Sequence, residues 1–321
     1  KTLRVYNWGE YIDKTVISDF EDKFDCRIIY ETFDSNEIMY TKYMSGNSYD
    51  VLVPSEYMIE RMIKEDLLQP VDKSLIPNLD NINEGILGQS FDLSNNYWVP
   101  YFCGNVGILY DKTVVDEKDL EAGWSILRNT KYKNQIYMYD SERDSFMVAL
   151  KALGYSMNTT KEREINEAYQ WLLEQREEMN PVYVGDESID TMISGVKAMA
   201  IMYSGDAAAV MSENPNMGYY MPKEGTNVWF DGFVISKECK QTKLANEFIN
   251  YMISDKVSYK NTVEVGYLTA NVNAAAQAEK EEFKDISAYG LRTGPNDEVF
   301  AYQDNAVKEM YNSRWTKVKA K

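Results

Sequence analysis

Short apolar runs alternate with amphipathic stretches from the first residues of the chain. Leu3-Arg4-Val5-Tyr6 reads as a strand and Asn7-Trp8-Gly9-Glu10-Tyr11 as the loop at its C-terminal end. Residues 13–24 follow as a predicted helix, with Val16, Ile17, Phe20 and Phe24 at helical spacing. Residues 26–30 form a second predicted strand. Asp34 or Ser35 is placed to cap a helix reaching about residue 44, which Gly46-Asn47 ends. Residues 49–53 form a third strand closed by Pro54, and Ser55-Glu56-Tyr57 opens the helix that 60–66 completes. Strand and helix alternating in this way predict a parallel α/β sheet.

An irregular stretch, 67–83, is punctuated by Pro70 and Pro77. Two apolar strands, 97–102 and 106–110, then flank Gly104. They are a candidate crossover between domains, with Gly104-Asn105 as its hinge, and Pro100 argues against a fully central strand. The pattern restarts at Asp111. A helix over 118–127 and a strand over 135–139 lead into the charged turn Asp140-Ser141-Glu142-Arg143-Asp144. Helices at 145–153 and 162–178, a strand at 182–184, a helix at 186–193, a strand at 198–203 and a helix at 207–212 come next. Residues 226–235 read as a strand, with helices after it at 242–253, 257–263, 274–280 and 298–318 and a loop at 266–269. The basic tail, Arg314, Lys317, Lys319 and Lys321, suits a helix C-terminus.

Three places in this pattern carry candidate chemistry. On the strand 226–235, Trp229 and Asp231 are two residues apart and share a face. An indole beside a carboxylate suits an organic cation; a core tryptophan beside a solvated aspartate is the plainer alternative. Trp8-Gly9-Glu10-Tyr11 and Ser55-Glu56-Tyr57 both follow strands and precede helices. Ligands of open α/β sheets bind outside the carboxyl ends of the strands, which brings Trp8, Tyr11, Ser55 and Tyr57 to one rim. Ser141-Glu142-Arg143-Asp144 has capping-box spacing, with Asp140 as the alternative N-cap. Capping and cation binding can coexist, because a carboxylate has several acceptor positions.

Composition narrows the chemistry. A length of 321 residues, 44% of them apolar, suits two packed domains. No apolar run is long enough to span a membrane. A net charge of −17 repels nucleic acid and favours cationic ligands or simple solubility. Cys26, Cys103 and Cys239 have neither metal-type spacing nor a disulfide framework. The chain has no histidine, which removes Ser-His-Asp and Cys-His nucleophiles and histidine metal sites, so any catalysis would rest on carboxylates, lysine or tyrosine. The abrupt entry of Lys1-Thr2-Leu3 into a strand fits a mature or trimmed chain.

Several fragments fit one family in order. Tyr6-Asn7-Trp8-Gly9-Glu10-Tyr11, Asp34-Ser35-Asn36-Glu37, Val53-Pro54-Ser55-Glu56-Tyr57, Trp229-Phe230-Asp231 and Gly266-Tyr267-Leu268-Thr269-Ala270-Asn271 resemble the spermidine/putrescine-binding proteins of bacterial ABC transporters. The resemblance implies an α/β chain with a two-lobed, type II-like periplasmic-binding-protein fold and two crossover strand connections. The expected lobes are 1–107 plus 231–275 and 108–230 plus 276–321. It implies a polyamine in the cleft between lobes, handed to permease subunits. Trp8, Tyr11, Tyr203, Trp229 and Tyr267 would enclose the methylene chain. Ser55, Tyr57 and Gln303 would add polar contacts, and Asp231 and Asp144 would bind the ammonium groups. At two positions the chain departs from the family: Tyr203 stands where the family has tryptophan, and Ser141 where it has a second acid, for which Asp140 or Glu142 could substitute. The choice between putrescine and spermidine therefore stays open.

The resemblance and the composition together lead to the expectation of a monomeric, extracytoplasmic binding domain without enzymatic activity, cofactor, metal or nucleic-acid partner. It would be tethered by an upstream lipid anchor or fused to a transporter chain. Two alternatives stand beside it: a binding protein for another small solute, and a glycoside hydrolase with two carboxylates set across the scissile bond.

Overall fold

The computed structural model describes residues 1–185, 187–291 and 294–320. Asp186, at which the sequence places the start of a helix, and Lys321 of the basic tail lie outside the described residues. The chain forms two compact units. The first comprises Lys1–Cys103 and Trp229–Lys284, the second Gly104–Val228 and Asp285–Lys321.

The first unit opens with β1 (Thr2–Trp8), α1 (Thr15–Phe24), β2 (Arg27–Phe33), α2 (Asn36–Met44), β3 (Val51–Leu52), α3 (Glu56–Lys64) and β4 (Leu68–Gln69). Val16 and Phe20 form the buried stripe of α1. Ser35, not Asp34, caps α2 by accepting from the Ile38 N–H at 3.1 Å. The next strand, β5 (Trp98–Asp111), enters the second unit at Gly104. Where the sequence suggested two strands around a hinge, β5 is one strand of 14 buried residues. Gly107 shows why a glycine is required along it, since a Cβ there would fall 2.6 Å from the Tyr219 ring.

The second unit continues through β6 (Ile136–Tyr139), α4 (Glu142–Ala152), α5 (Glu162–Met179), β7 (Val182–Val184), α6 (Ser188–Ile193), β8 (Met199–Tyr203), α7 (Ser204–Glu213) and β9 (Met217–Tyr220). The helix expected at 118–127 is a run of 3₁₀ turns over Glu117–Arg128, broken at Gly123, whose φ of 62° no regular helix accommodates. Helix α4 starts three residues earlier than its apolar pattern suggested, because Ser141 caps it.

Strand β10 (Val228–Ser236) returns the chain to the first unit at Trp229. Then come α8 (Thr242–Met252), α9 (Asp255–Val265), β11 (Leu268–Thr269) and α10 (Val272–Glu281). After Lys284 the chain crosses a third time and ends in α11 (Asn305–Lys319). This helix is shorter than the 298–318 expected. Asp304 caps it, accepting from the Val307 N–H at 2.9 Å, and Glu298 is instead bridged to Asn227.

Both sheets are mixed. In the first unit β1 pairs in parallel with β2 and β3, whereas β10 closes on β3 antiparallel. No crossover helix joins β3 to β10, so the rule that makes βαβ neighbours parallel does not govern that pair. In the second unit β6 pairs in parallel with β7 and β8, while β8 and β9 flank β5 antiparallel. Phe20, Phe233 and Phe248 are fully buried in the first unit. Trp124, Phe146, Ile165 and Leu172 belong to the core of the second. No helix among the described residues is long and apolar enough to cross a membrane.

Candidate functional site

The first unit builds a carboxylate site on β10. Strand geometry puts Trp229 and Asp231 on one side, and both join a single cluster. Asp231 is 6% exposed. Its Oδ1 accepts from the Ser55 hydroxyl at 2.5 Å and its Oδ2 from the Tyr11 hydroxyl. Ser55 is brought there by an antiparallel bridge to Asp231, just before α3. Tyr11 follows β1 and is fixed by Tyr101, whose hydroxyl donates to the Tyr11 carbonyl at 2.7 Å.

Aromatic rings border this carboxylate in a continuous series. Trp8 meets Tyr11 edge-on at 6.4 Å, Tyr11 meets Tyr267 at 6.1 Å, and Tyr267 meets Trp229 at 5.1 Å and 88°. Trp8, Trp229 and Tyr267 are half-buried. Tyr57 is connected less directly. Its hydroxyl accepts from the Asn36 amide and donates to Glu37, both at 3.0 Å, and Asn36 in turn accepts from the Ser55 N–H at 2.9 Å.

Electrostatically the site is a carboxylate with no cationic partner among the described residues. Burial pushes the Asp231 carboxyl up to about 6, against the opposing pull of Ser55 and Tyr11. Burial, with Asp231 beside it, holds the Tyr11 hydroxyl well above its ordinary value, so it remains a donor. No described lysine or arginine forms a salt bridge to Asp231.

The second unit repeats this chemistry at the start of α4. Asp144 is 3% exposed, and its Oδ2 accepts from Ser141 at 2.6 Å and from Tyr203 at 2.8 Å. Its Oδ1 is buried without a hydrogen-bond partner among the described residues. Burial raises the Asp144 carboxyl despite both hydroxyls. Tyr203 is stacked on Tyr139 at 4.9 Å and donates its N–H to the Tyr139 hydroxyl at 2.9 Å.

Ser141 does two things at once: it accepts from the Asp144 N–H at 3.3 Å as the N-cap and donates to the Asp144 carboxylate. Asp140, the alternative cap and one candidate second acid, is exposed and ion-paired with Lys319. Glu142, the other candidate, is raised to about 7 by burial and lines a small cavity with Arg143, Phe146, Phe300, Gln303 and Tyr311. Gln303 therefore shares a cavity wall with Glu142 and Arg143 in the second unit.

Three residues outside the sequence-derived set support these sites. The Glu56 carboxylate is buried and accepts from the Phe230 N–H at 3.0 Å, fixing β10 between Trp229 and Asp231. Asn36 joins Ser55 to Tyr57, and Tyr139 supports Tyr203. Glu56 and Asn36 stand inside motifs the sequence singles out, but nothing in a motif says that their side chains turn inward. Among the described residues no cluster of acids, cysteines or histidines could hold a metal ion.

Over residues 15–289 the chain matches the profile of the bacterial extracellular solute-binding protein family. It is 32% identical over 294 residues to the spermidine/putrescine-binding periplasmic protein of Salmonella typhimurium, covering 90% of this chain and 83% of that one. Its identity to the protein of the same name from Escherichia coli is 31% over 322 residues, covering 99% and 92%. Its fold matches the spermidine/putrescine ABC transporter substrate-binding protein PotD of Streptococcus pneumoniae with a TM-score of 0.85 and 36% identity, covering 99% of this chain and 98% of that one.

Proposed function

Because the chain belongs to the bacterial extracellular solute-binding protein family, we propose that it binds a polyamine, putrescine or spermidine, and delivers it to the permease of an ABC transporter. The observation that carries this reading is the matched pair of buried carboxylates. Asp231 and Asp144 are each held by one serine and one tyrosine hydroxyl and are raised toward the neutral form by burial. A carboxylate in that condition gains most from a cation, because pairing offsets the desolvation that burial imposes.

Asp231 in the first unit and Asp144 in the second are the acids offered to ammonium groups. The rings of Trp8, Tyr11, Trp229 and Tyr267 cover methylenes beside Asp231 and attract the ammonium there, each cation–π contact contributing roughly 0.5–2 kcal/mol. Tyr203 does the same beside Asp144, with Ser141 and Gln303 as polar groups of the second unit and Ser55 and Tyr57 as those of the first. The protein acts as a monomer outside the cytoplasmic membrane, and its role is capture and transfer rather than turnover. The names of its relatives, which are solute-binding proteins, favour this over the hydrolase alternative.

Titration calorimetry with putrescine, spermidine, spermine and a neutral sugar tests the reading. Saturable heat with at least one polyamine and none with the sugar is expected. Heat with the sugar alone, or release of products from an oligosaccharide, would overturn it.

A further inference from the structure

Helix α4 carries a second buried ionic residue. Lys151 lies seven positions after Asp144, two turns along the same helix face, and is 4% exposed. Its ammonium pairs with Glu298 Oε1 and donates to the Asn296 carbonyl at 2.7 Å. Burial works against the Glu298 charge, but bonds from Lys151, from the Ser156 hydroxyl at 2.5 Å and from the Met157 N–H at 3.0 Å outweigh it and lower its pKa. Of the salt bridges among the described residues, this one has the most buried basic partner, with 5% of the lysine side chain exposed.

Glu298 is held for a reason visible in its backbone. Its N–H donates to the Thr226 carbonyl at 2.9 Å, and its carbonyl accepts from the Val228 N–H at 2.8 Å. Beside it, Asp297 accepts from the Thr226 N–H at 3.0 Å. The segment so gripped is held on other sides too. The Thr226 hydroxyl donates to the Val106 carbonyl at 2.5 Å, the Trp124 indole N–H donates to the Gly225 carbonyl at 2.8 Å, and a Cβ on Gly225 would fall 1.9 Å from the Asn296 carbonyl oxygen. Val228 is the last residue of the second unit before the chain passes into the first at Trp229.

We propose that the Lys151–Glu298 pair is a positioning device for ligand binding. It locks residues 226–228, at the start of β10, to the helix that bears Asp144. The inference rests on the polyamine reading. Neither residue touches the ligand. Without the pair, the strap 296–299 and the lead-in 226–228 become mobile in the free protein, and ligand binding must order them again, which weakens affinity.

The test is Lys151→Met, which keeps most of the length of the side chain and removes its charge, together with Glu298→Gln, which keeps size and acceptor and so guards against failure to fold. Polyamine affinity is measured by calorimetry well below each melting temperature, and amide exchange is followed at Thr226, Val228 and Glu298. Expected are faster exchange at those amides and about tenfold weaker binding in Lys151→Met, with a smaller change in Glu298→Gln. A merely structural pair would lower the melting temperature and leave the affinity of the folded protein unchanged. That result in either folded variant overturns the inference, as does unchanged exchange. Failure of the unaltered protein to bind any polyamine overturns the functional reading instead.

Discussion

The Ser55 hydroxyl lies 2.5 Å from Asp231 Oδ1, although 176 residues separate the two in sequence. Together with Tyr11 on Oδ2, this leaves Asp231 hydrogen-bonded through both oxygens while its charge has no described ionic partner. Replacing the carboxylate by an amide removes the charge and keeps the shape. Asp231→Asn is expected to weaken polyamine binding at least tenfold, about 1.4 kcal/mol. The free variant should melt no lower than the parent at neutral pH, because a buried uncompensated charge has been removed. Calorimetry and thermal melts check both, and undiminished affinity would remove Asp231 from the site.

Titration of the same group gives a pH dependence of definite sign. The folded protein holds Asp231 at about 6, above the ordinary 3.8. Between about pH 3.8 and pH 6 the folded state therefore keeps a proton that the unfolded state has released, and this group makes stability fall as pH rises through that window. Ligand binding runs the other way, because an ammonium favours the carboxylate. Polyamine affinity should be level above about pH 7 and fall by about tenfold per unit below about pH 6 from Asp231 alone. Asp144, also raised by burial, makes the fall steeper. Titrations across this range in buffers of different ionisation heat should show proton release on binding at acid pH, and Asp231→Asn should flatten the profile.

In the second unit the two hydroxyls converge on one oxygen of Asp144. Ser141→Ala removes the cap of α4 and one of those donors. It is expected to cost about 1 kcal/mol of stability and to weaken binding. Tyr203→Phe removes only the other donor and keeps the stack on Tyr139, so the melting temperature should hold while affinity drops severalfold. Comparing the two variants separates capping from ligand binding, and equal affinity in Tyr203→Phe and the parent would remove the Tyr203 hydroxyl from the site.

Glu56 acts through β10. Glu56→Ala leaves the Phe230 N–H buried without its acceptor, an expected loss of about 1–3 kcal/mol. Glu56→Gln keeps an acceptor oxygen in place and should recover most of that stability. Denaturant melts of the pair check this, and equal stability would show that the bond to Phe230 is not what holds Glu56 inside.

Most of the architecture comes from local pattern. Val16 and Phe20 on α1, the β1–α1–β2 alternation and the Ser35 cap are dictated by spacing and side-chain chemistry within a few residues of one another, and so is the common face of Trp229 and Asp231. Two of the corrections are places where distant contacts override local preference. Strand β5 runs through Gly104 because β8 and β9 hold it beyond that point. Residues 298–304 leave the helix because Glu298 is wanted by Lys151 and by the backbone of 226–228.

The sequence by itself determined the two-unit α/β plan, the absence of histidine chemistry and the aromatic and acidic residues offered to a cation. Only the tertiary structure decided how each acid is held. Ser55 and Tyr11 reach Asp231 from positions far away in the chain, Ser141 gives its hydroxyl to Asp144 while capping α4, and Glu56 turns inward to fix Phe230. The physical reason is that periodicity records which face of an element is buried, whereas hydrogen-bond partners and carboxylate burial depend on residues brought together from distant parts of the chain.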